Sequence, residues 1–378
     1  MRICIISSSF PANASDARAS AGLFVKDFAL ALRDSGHTVT VVAPDKLPAE
    51  KLDPEGINVC WFSWLGGGKQ LVYLRPYNPF DVAAMISLLR QGERALIELA
   101  EQDGFDHIIA MWAVPSGYLA SALKRRLGTP FTTWCLGSDI WYYGRIPVLR
   151  GIVRRVIRSS DLLYADGIEL GRSVTRLSGC DCQFLASSRR LNRALIRPLK
   201  DLPDGFKFLF VGRYAKVKGV DVLLAAMIRF LEEGHQDSLF MFGGGPLRGF
   251  IETTVAKNGL GDHVFVGDYA DEATTVSYLD ACDCLVISSR MESIPVVLSD
   301  ALQMGKPVIV TDVGDMGTLL REHPAGLVVP PDDSVALARA MADMSSRPHE
   351  DLAPHIAALA RKFDISRVAE TWVNAVAG

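Results

Sequence analysis

The stretch CLVISSRMESIPVVLSDALQMGKPVIVTDVG, from Cys284 to Gly314, contains the repeating unit of the chain. Two short apolar runs, CLVISS and KPVIVTD, flank a segment with helical character that begins near Ile294. An apolar strand, a helix and a second apolar strand are typical of parallel strands joined by a crossover helix. Glu292 and Asp300 lie within this unit, although packing of a helix on a sheet requires neither carboxylate.

The same alternation of strand and helix extends through most of the 378 residues. It pauses in a polar, proline-containing segment at Ile196–Lys207 and then restarts, which favours two doubly wound α/β domains. We place them at residues 1–198 and 199–378, and we expect the last helix, about 362–378, to return to the N-terminal domain. The predicted strands are RICIIS, HTVTVVAP, DHIIAMW, PFTTWCLG, FKFLFVG, SLFMFG, HVFVGD, CLVISS, KPVIVTD and AGLVVP.

Composition excludes several classes of protein. A net charge of −3 argues against a dedicated nucleic-acid binder, which is usually strongly basic. The seven cysteines are odd in number and their close pairs are C-x-C, which predicts a reducing compartment and no structural metal. The apolar run Ile3–Ile6 is too short for a secretion signal, and no window reaches the length of about 18 apolar residues that spans a membrane. We expect a cytoplasmic protein.

Three predicted loops at strand ends carry residues suited to an anionic ligand. FVGRYAKVKG places Arg213 and Lys218 before a helix, and two cations at this spacing suit a diphosphate. FGGGPLRG, with glycines at 243–245, would let a ligand approach the backbone. After CLVISS, Ser293 is predicted to cap the next helix and Pro295 to lie in its first turn, so that free N–H groups attract an anion.

The spacing of Glu292 and Asp300 indicates the kind of ligand. About two helical turns, roughly 10 Å, separate them, so the two carboxylates are too far apart to bind one atom. They could instead bind hydroxyl groups at opposite ends of a molecule whose phosphates lie between. A nucleotide sugar has this arrangement, with the ribose at one end and the transferred sugar at the other.

The ordered set of motifs resembles a known family. VGR…K.KG.D, GGGPL, VFVGDY and E.IPVVLSDAL..GKPVIVTDVG resemble the C-terminal domain of the retaining glycosyltransferases of family 4, which have the GT-B fold of two Rossmann-like domains facing across a cleft. The N-terminal half is similar through ISSSFPANASDARASAGLFVKDFALALRDSGHTVTVVAP, MWAVPSGYLASALKRRLGTP and CLGSDIW. The resemblance covers nearly the whole chain in order.

The resemblance implies a role for each matching residue. Arg213 and Lys218 would bind the donor diphosphate and stabilise it as it leaves, Glu292 would bind the donor sugar, and Asp300 would bind the ribose. It also implies transfer with retention, a nucleotide-sugar donor, a glycan or lipid-linked acceptor, and no metal or other cofactor. The Gly22 loop would close over the phosphates, and the other expected donor contacts are Gly212, Gly244, Pro246, Ser293, Ile294, Pro295 and Val296.

Three departures from the family pattern leave the substrate open. Asp300 stands where the family usually has glutamate, and Leu136 stands where it often has histidine before GSD. DLLYADGIELG and QFLASSRRLNR replace two further family segments. Acceptor choice is expected in the loops Ser7–Ala21 and Trp61–Phe80. The alternatives are a GT-B relative with other chemistry, such as a nucleotide-sugar epimerase or a phosphorylase, and a non-catalytic binding protein.

Several candidates have simpler structural explanations. Asp139 could contact the acceptor or brace its own loop. The aromatic cluster of Trp134, Trp141, Tyr142 and Tyr143 could form an acceptor platform, with Leu136 beside it, or pack in the core. The segment GRIPVLRGIVRRVIRSS, residues 144–160, predicts a basic amphipathic helix, which would either lie on the inner face of a membrane or pack on the first sheet. Its charged side is formed by Arg150, Arg154, Arg155 and Arg158.

Overall fold

The computed structural model describes residues 1–11, 22–45, 56–69, 71, 74–75, 77–346 and 350–378. Parts of both expected acceptor loops, residues 12–21, 70, 72–73 and 76, lie outside this description. Contacts divide the chain into unit 1, Met1–Arg189 with Ile365–Gly378, and unit 2, Arg190–Asp364. The division thus falls before residue 198, and the last helix is part of unit 1.

Unit 1 contains a parallel sheet of seven strands in the order β3-β2-β1-β4-β5-β6-β7. Apolar runs form the central strands because both faces of a doubly wound sheet are covered. The sequence prediction missed β3, whose residues are mostly half-buried, and it missed β6 and β7, which are only four and two residues long. The strands are β1 (Arg2–Ile6), β2 (Thr38–Pro44), β3 (Asn58–Phe62), β4 (His107–Met111), β5 (Phe131–Cys135), β6 (Leu162–Ala165) and β7 (Gln183–Phe184).

The helices of unit 1 begin and end at recognisable residues. The side chain of Asn78 accepts a hydrogen bond from the backbone of Phe80 at the start of the long second helix, and Gly128 and Gly179 end two others in the left-handed conformation. The helices are α1 (Leu23–Asp34), α2 (Pro79–Gln102), α3 (Tyr118–Leu127), α4 (Ser138–Trp141), α5 (Pro147–Ser159) and α6 (Ile168–Ser178). A kinked segment, Trp112–Gly117, precedes α3, with extended backbone at Val114 (φ −138°, ψ 136°).

Unit 2 contains a parallel sheet of six strands in the order β10-β9-β8-β11-β12-β13. The strands are β8 (Lys207–Val211), β9 (Ser238–Phe242), β10 (Val264–Gly267), β11 (Cys284–Ile287), β12 (Val308–Thr311) and β13 (Gly326–Val329). The connecting helices are α7 (Val220–Glu232), α8 (Arg248–Lys257), α9 (Glu272–Ala281), α10 (Val296–Gln303), α11 (Met316–Glu322) and α12 (Ser334–Ser346). The strand order reverses between β8 and β11, and ligands of doubly wound sheets bind outside the carboxyl ends of strands at such a point.

The chain ends in two further helices, α13 (Ala353–Ala360) and α14 (Ile365–Ala377). α13 packs on α10 in unit 2, whereas α14 packs on α1 in unit 1. Trp372 of α14 is fully buried and donates a hydrogen bond from Nε1 to Oγ1 of Thr132, 3.0 Å away. The last helix therefore completes the core of unit 1.

All seven cysteines are free. Cys4 and Cys284 are buried in strands, which confirms that both act as small core residues. The fold class predicted from the sequence, two doubly wound parallel sheets, is confirmed.

Candidate functional site

The loop after β8 carries both predicted cations. Arg213 is exposed, and its side chain makes no ion pair with any residue that the structure describes. Lys218 closes a short 3₁₀ turn, Lys216–Lys218, immediately before α7, and its side chain is 25% exposed. Arg213 is near enough to influence the charge of Lys218. The two cations thus lie at one edge of the sheet, as the sequence predicted.

Glu292 lies against Lys218. The ammonium Nζ of Lys218 donates to Oε1 of Glu292, and Oγ of Ser289 donates to the same oxygen from 3.2 Å. The Glu292 side chain is only 15% exposed, so Glu292 is not a solvent-facing loop residue. The structure therefore brings together two residues that were expected to bind different parts of a donor.

The environment of Lys218 favours its neutral form. Burial, together with the neighbouring Arg213 guanidinium, lowers the pKa of Lys218 from 10.5 to about 8. The contact with Glu292 acts in the opposite sense because a carboxylate stabilises the ammonium ion. An anion that bound between the two cations would likewise stabilise the ammonium, which makes its binding pH-dependent.

We expect the affinity for a nucleoside diphosphate to be constant below about pH 8 and to fall above it. The fall should reach up to roughly tenfold per pH unit, because the neutral amine of Lys218 has no charge interaction with the phosphates. The terminal phosphate ionises near pH 6 and contributes no slope there. Calorimetric titration from about pH 7 to 9.5 measures this dependence. Lys218→Arg, which stays charged throughout, serves as the control and should flatten the profile; an affinity of the wild type that does not change with pH would contradict the assignment.

Two glycines allow the loops of this site to approach each other. Gly219 has φ 63°, and a Cβ on it would lie 1.9 Å from the carbonyl oxygen of Ser288. Gly314 has φ 56°, and a Cβ there would lie 2.3 Å from the carbonyl oxygen of Glu292. Any side chain at either position would push the Lys218 and Glu292 loops away from their observed places.

Gly219→Ala is expected to reduce both stability and nucleotide affinity, because the new methyl group overlaps the backbone of Ser288. Gly259→Ala is the matched control, since Gly259 has φ 64° and open space around its Cβ position. The free energy of unfolding of the control should fall only by the cost of holding alanine in the left-handed conformation, about 1–2 kcal/mol. The control should bind nucleotide with wild-type affinity. Urea unfolding and calorimetry on both variants measure the difference, and equal behaviour of the two would contradict a steric role.

The third loop, at the end of β9, is fixed by Tyr214. The buried phenol oxygen of Tyr214 lies 2.8 Å from the carbonyl oxygens of both Met241 and Gly267, so its single proton can be donated to either. The backbone N–H of Tyr214 donates to the carbonyl oxygen of Gly244, 2.9 Å away. Gly244 is buried and Pro246 is exposed. Gly212 lies directly beside this loop, since a Cβ on Gly243 would be 1.9 Å from its carbonyl oxygen. Sequence reasoning missed Tyr214, although a tyrosine within a polar loop was a usable signal.

The start of α10 differs from the prediction. The helix begins at Val296 with Pro295 as its N-terminal cap residue, and no side chain caps it. Ser293 is therefore not the cap: the extended backbone of Pro295, with ψ 137°, separates it from the first turn. Ser293 and Ile294 are buried in the loop, at 8% and 4% exposure.

Asp300 lies within α10 and is 2% exposed, so it is not an ordinary surface position of that helix. A carboxylate in such a place is rare unless it is paired. Its assignment to the ribose stays a prediction.

The candidates in unit 1 serve largely to shape loops. Gly22 is buried, and a Cβ on it would lie 2.6 Å from the carbonyl oxygen of Ser9, so the Gly22 loop needs glycine at this point. Asp139 is fully buried and accepts hydrogen bonds from the backbone of Ala113, 2.8 Å away, and of Leu136, 3.3 Å away. Burial raises the pKa of Asp139 to about 6. These contacts favour the interpretation that Asp139 braces its loop.

The aromatic cluster separates into core and surface. Trp134 is fully buried, whereas Tyr142 is 61% exposed and contacts the ring of Tyr143 edge to face. Trp141 is half-buried, and its Nε1 lies 3.4 Å from Oγ of Ser173. Leu136 is also half-buried. Of this cluster, Tyr142 is the most exposed to solvent.

The basic helix predicted from the sequence is α5, and it packs on unit 1. Its apolar side, including Val153, Val156 and Ile157, is buried in the core of that unit, so the packed interpretation is the correct one. The opposite side is exposed and is formed by Arg150, Arg154, Arg155 and Arg158.

Within the described ranges, the structure contains no group of three or more histidine, cysteine or acidic side chains arranged to hold a metal ion. Among the same residues, none of the helices combines the length and the apolar character needed to cross a membrane.

Comparison with known proteins identifies the family. A model described as "Glycosyl transferase 4-like domain" matches residues 21–181, and one described as "Glycosyl transferases group 1" matches residues 193–363. The chain is 28% identical over 187 residues to an alpha-D-kanosaminyltransferase of Streptomyces kanamyceticus, which covers 49% of this chain and 48% of that protein. It is 30% identical over 250 residues to the putative teichuronic acid biosynthesis glycosyltransferase TuaC of Bacillus subtilis, covering 62% and 60%. The match thus spans about half to three fifths of the length of these relatives.

Solved structures share the fold over the full length. Sucrose-phosphate synthase from Thermosynechococcus elongatus superposes with a TM-score of 0.78 at 20% identity, covering 99% of this chain and 98% of that one. The Anabaena protein HepE, in complex with UDP-glucose, superposes with a TM-score of 0.73 at 15% identity, covering 100% and 99%. Together, the two family models and the arrangement of its two sheets show that this chain is a member of the group 1 glycosyl transferases with the GT-B fold.

Proposed function

We propose that this protein transfers a sugar from a nucleoside-diphosphate sugar to a glycan or lipid-linked acceptor. One observation carries the proposal: Lys218, in the loop after β8 that also holds Arg213, contacts Glu292 in the loop after β11. The two loops lie on either side of the point where the strand order reverses. The related kanosaminyltransferase and TuaC are named as transferases, and the HepE structures hold UDP and UDP-glucose, which supports the same class of donor here.

The proposed reaction exchanges one bond for another at the anomeric carbon. The bond from this carbon to the diphosphate breaks, a bond to the acceptor oxygen forms with the same configuration, and the acceptor hydroxyl releases its proton. Negative charge builds up on the departing diphosphate. The Lys218 ammonium, held against Glu292, and the exposed Arg213 guanidinium on the same loop would stabilise that charge and so lower the barrier.

Glu292 is proposed to orient the donor sugar. Its carboxylate is held by Lys218 and Ser289, and an ionised carboxylate accepts hydrogen bonds from hydroxyl groups. A diphosphate bound to Lys218 would compete for the ammonium and leave oxygen lone pairs of Glu292 for the sugar. The two cations supply the positive charge, so metal independence is part of the proposal, and transfer should persist in EDTA.

Two measurements test the proposal. The first is a thermal-shift panel of UDP, GDP, ADP and TDP on the wild type, Arg213→Ala and Glu292→Gln. A ligand at a hundred times its Kd stabilises the protein by about 2.7 kcal/mol, so one nucleotide should raise the Tm and Arg213→Ala should lose the effect.

The second measurement offers the corresponding sugar nucleotides with glycan and lipid-linked acceptors and determines the anomeric configuration of the product by NMR. Retention supports the proposal and inversion contradicts it. Epimerised donor, or turnover that depends on phosphate without nucleotide, would indicate the other GT-B chemistries. Nucleotide binding without turnover of any donor would indicate a binding protein.

Contact with an anionic membrane is also proposed, through charge alone, because the apolar side of α5 is buried. Arg150, Arg154 and Arg155 are exposed and pair with no acidic side chain in the described part of the chain. Each such arginine contributes about 1 kcal/mol at an anionic surface, so replacing all three with glutamine should weaken binding to phosphatidylserine vesicles roughly 100-fold. Sedimentation with these vesicles measures this, neutral vesicles and high salt are the controls, and an unchanged affinity would contradict the contact.

A further inference from the structure

Arg290, in the loop between β11 and α10, joins three loops of unit 2. Its Nη1 and Nη2 bind the two carboxylate oxygens of Asp221 at 2.7 and 2.8 Å, and its Nε binds Asp332, 2.5 Å away. Nη1 also donates to the backbone carbonyl of Lys216. The Arg290 side chain is 21% exposed and that of Asp221 32%, whereas Asp332 is 61% exposed. The fork uses all three nitrogens of the guanidinium, and the pair with Asp221 is its more buried part.

These contacts bracket Lys218. Lys216 begins the 3₁₀ turn that Lys218 ends, and Asp221 lies in the first turn of α7 just beyond it. Arg290 therefore grips the chain on both sides of Lys218. Its own backbone N–H donates to the carbonyl of Val217, 2.8 Å away, and the neighbouring Ser288 donates from Oγ to the carbonyl of Lys218, 2.9 Å away.

We propose that Arg290 is a positioning residue of the donor site: by joining Asp221, Asp332 and the backbone of Lys216, it holds the Lys218 ammonium against Glu292. This inference rests on the proposed function, because holding the ammonium in place matters only if it binds a diphosphate. An ammonium that is already in position binds the diphosphate without rearranging. Arg290 itself is fully engaged in these contacts and acts through Lys218.

Lysine could not replace Arg290 in this role. Its ammonium is a single point charge that cannot reach two carboxylates and a carbonyl in a planar fork. The hydrogen bonds from Arg290 also lower the pKa of Asp221, so this ion pair stays charged over the working range of pH. A turn released from Arg290 would expose Lys218 to water, and the pKa of Lys218 would then rise from about 8 toward 10.5.

The test compares Arg290→Lys with Arg321→Lys in the full chain. Arg321 also binds an aspartate of unit 2, Asp312, at 3.0 and 3.3 Å. Within the described part of the chain it makes no hydrogen bond or ion pair with the Lys218 or Glu292 loops, so it controls for the loss of an ion pair. UDP, GDP, ADP and TDP are titrated in turn from about pH 7 to 9.5. Whichever nucleotide binds the wild type should bind Arg290→Lys with roughly tenfold lower affinity. The midpoint of the pH dependence of that affinity should move upward. Arg321→Lys should change neither.

Asp221→Asn provides a second route to the same result if Arg290→Lys folds poorly. The two substitutions remove one interaction, so the double variant should bind no more weakly than the weaker single variant. A pH midpoint that stays at the wild-type value in both single variants would overturn the positioning role, even where stability falls. A wild type that binds none of the four nucleotides would refute the proposed function and this inference with it.

Discussion

Replacing Lys218 with alanine is expected to slow sugar transfer by roughly 10²–10³-fold, the usual loss when one fixed group that stabilises developing charge is removed. The reason is the position of the Lys218 ammonium. It contacts Glu292 at the carboxyl end of β11 and lies near enough to Arg213 for the two charges to interact. Initial rates at saturating donor measure the loss, with a donor chosen from the nucleotide panel.

The same turn offers a matched control for this substitution. Lys216 lies two residues earlier, is exposed, and contacts Arg290 only through its backbone carbonyl. Lys216→Ala should therefore transfer at nearly the wild-type rate. Removing Lys218 leaves Glu292 without its cation, so the Tm of each variant must be shown to lie above the assay temperature. Transfer by folded Lys218→Ala within a few-fold of the wild type would refute the role in catalysis.

Trp372→Ala is expected to destabilise unit 1 by about 3–5 kcal/mol, because it removes a fully buried indole whose space cannot be refilled. The ring meets Phe28 and His107 edge to face, with centroids 6.4 and 5.4 Å away. It also donates to Thr132, whose hydroxyl oxygen lies 2.9 Å from Nε2 of His107. Loss of the indole thus affects packing and a buried hydrogen-bonded group together.

Urea unfolding followed by tryptophan fluorescence measures this effect in unit 1 alone, because all six tryptophans of the chain lie in that unit. Glu370→Ala, an exposed change on the same helix, is the control and should stay within about 0.5 kcal/mol of the wild type. If Trp372→Ala unfolded at the same urea concentration as the control, α14 would not contribute to the stability of unit 1.

The strands that form the centre of each sheet were predictable from local sequence. Runs such as RICIIS and KPVIVTD are apolar on both faces because helices cover both sides of the sheet. The structure has β1 and β12 at these two runs. β3 was not predicted: it is a five-residue strand at the edge of its sheet and its residues are mostly only half-buried. The cap at Ser293 was predicted wrongly because residue type alone cannot fix the backbone angle of the following Pro295.

The candidate site was predictable as a set of residues but not as an arrangement. Arg213, Lys218 and Glu292 stood out because they follow predicted strands. That Lys218 and Glu292 contact each other depends on the pairing of β8 with β11, which no local pattern specifies. Arg290 gave no signal at all, since its partners are distant in sequence and its role exists only once three loops meet.

The division of unit 1 into two segments has a consequence for synthesis of the protein. Phe28, His107 and Thr132 emerge from the ribosome long before Trp372, which covers them. At a translation rate of roughly 5–20 residues per second, these groups remain uncovered for many seconds before Trp372 is synthesised. All of unit 2 is synthesised in this interval. Unit 2 is continuous and can acquire its structure first. The first unit to be translated is therefore expected to be the last to mature, and its nascent form is a natural client for chaperones.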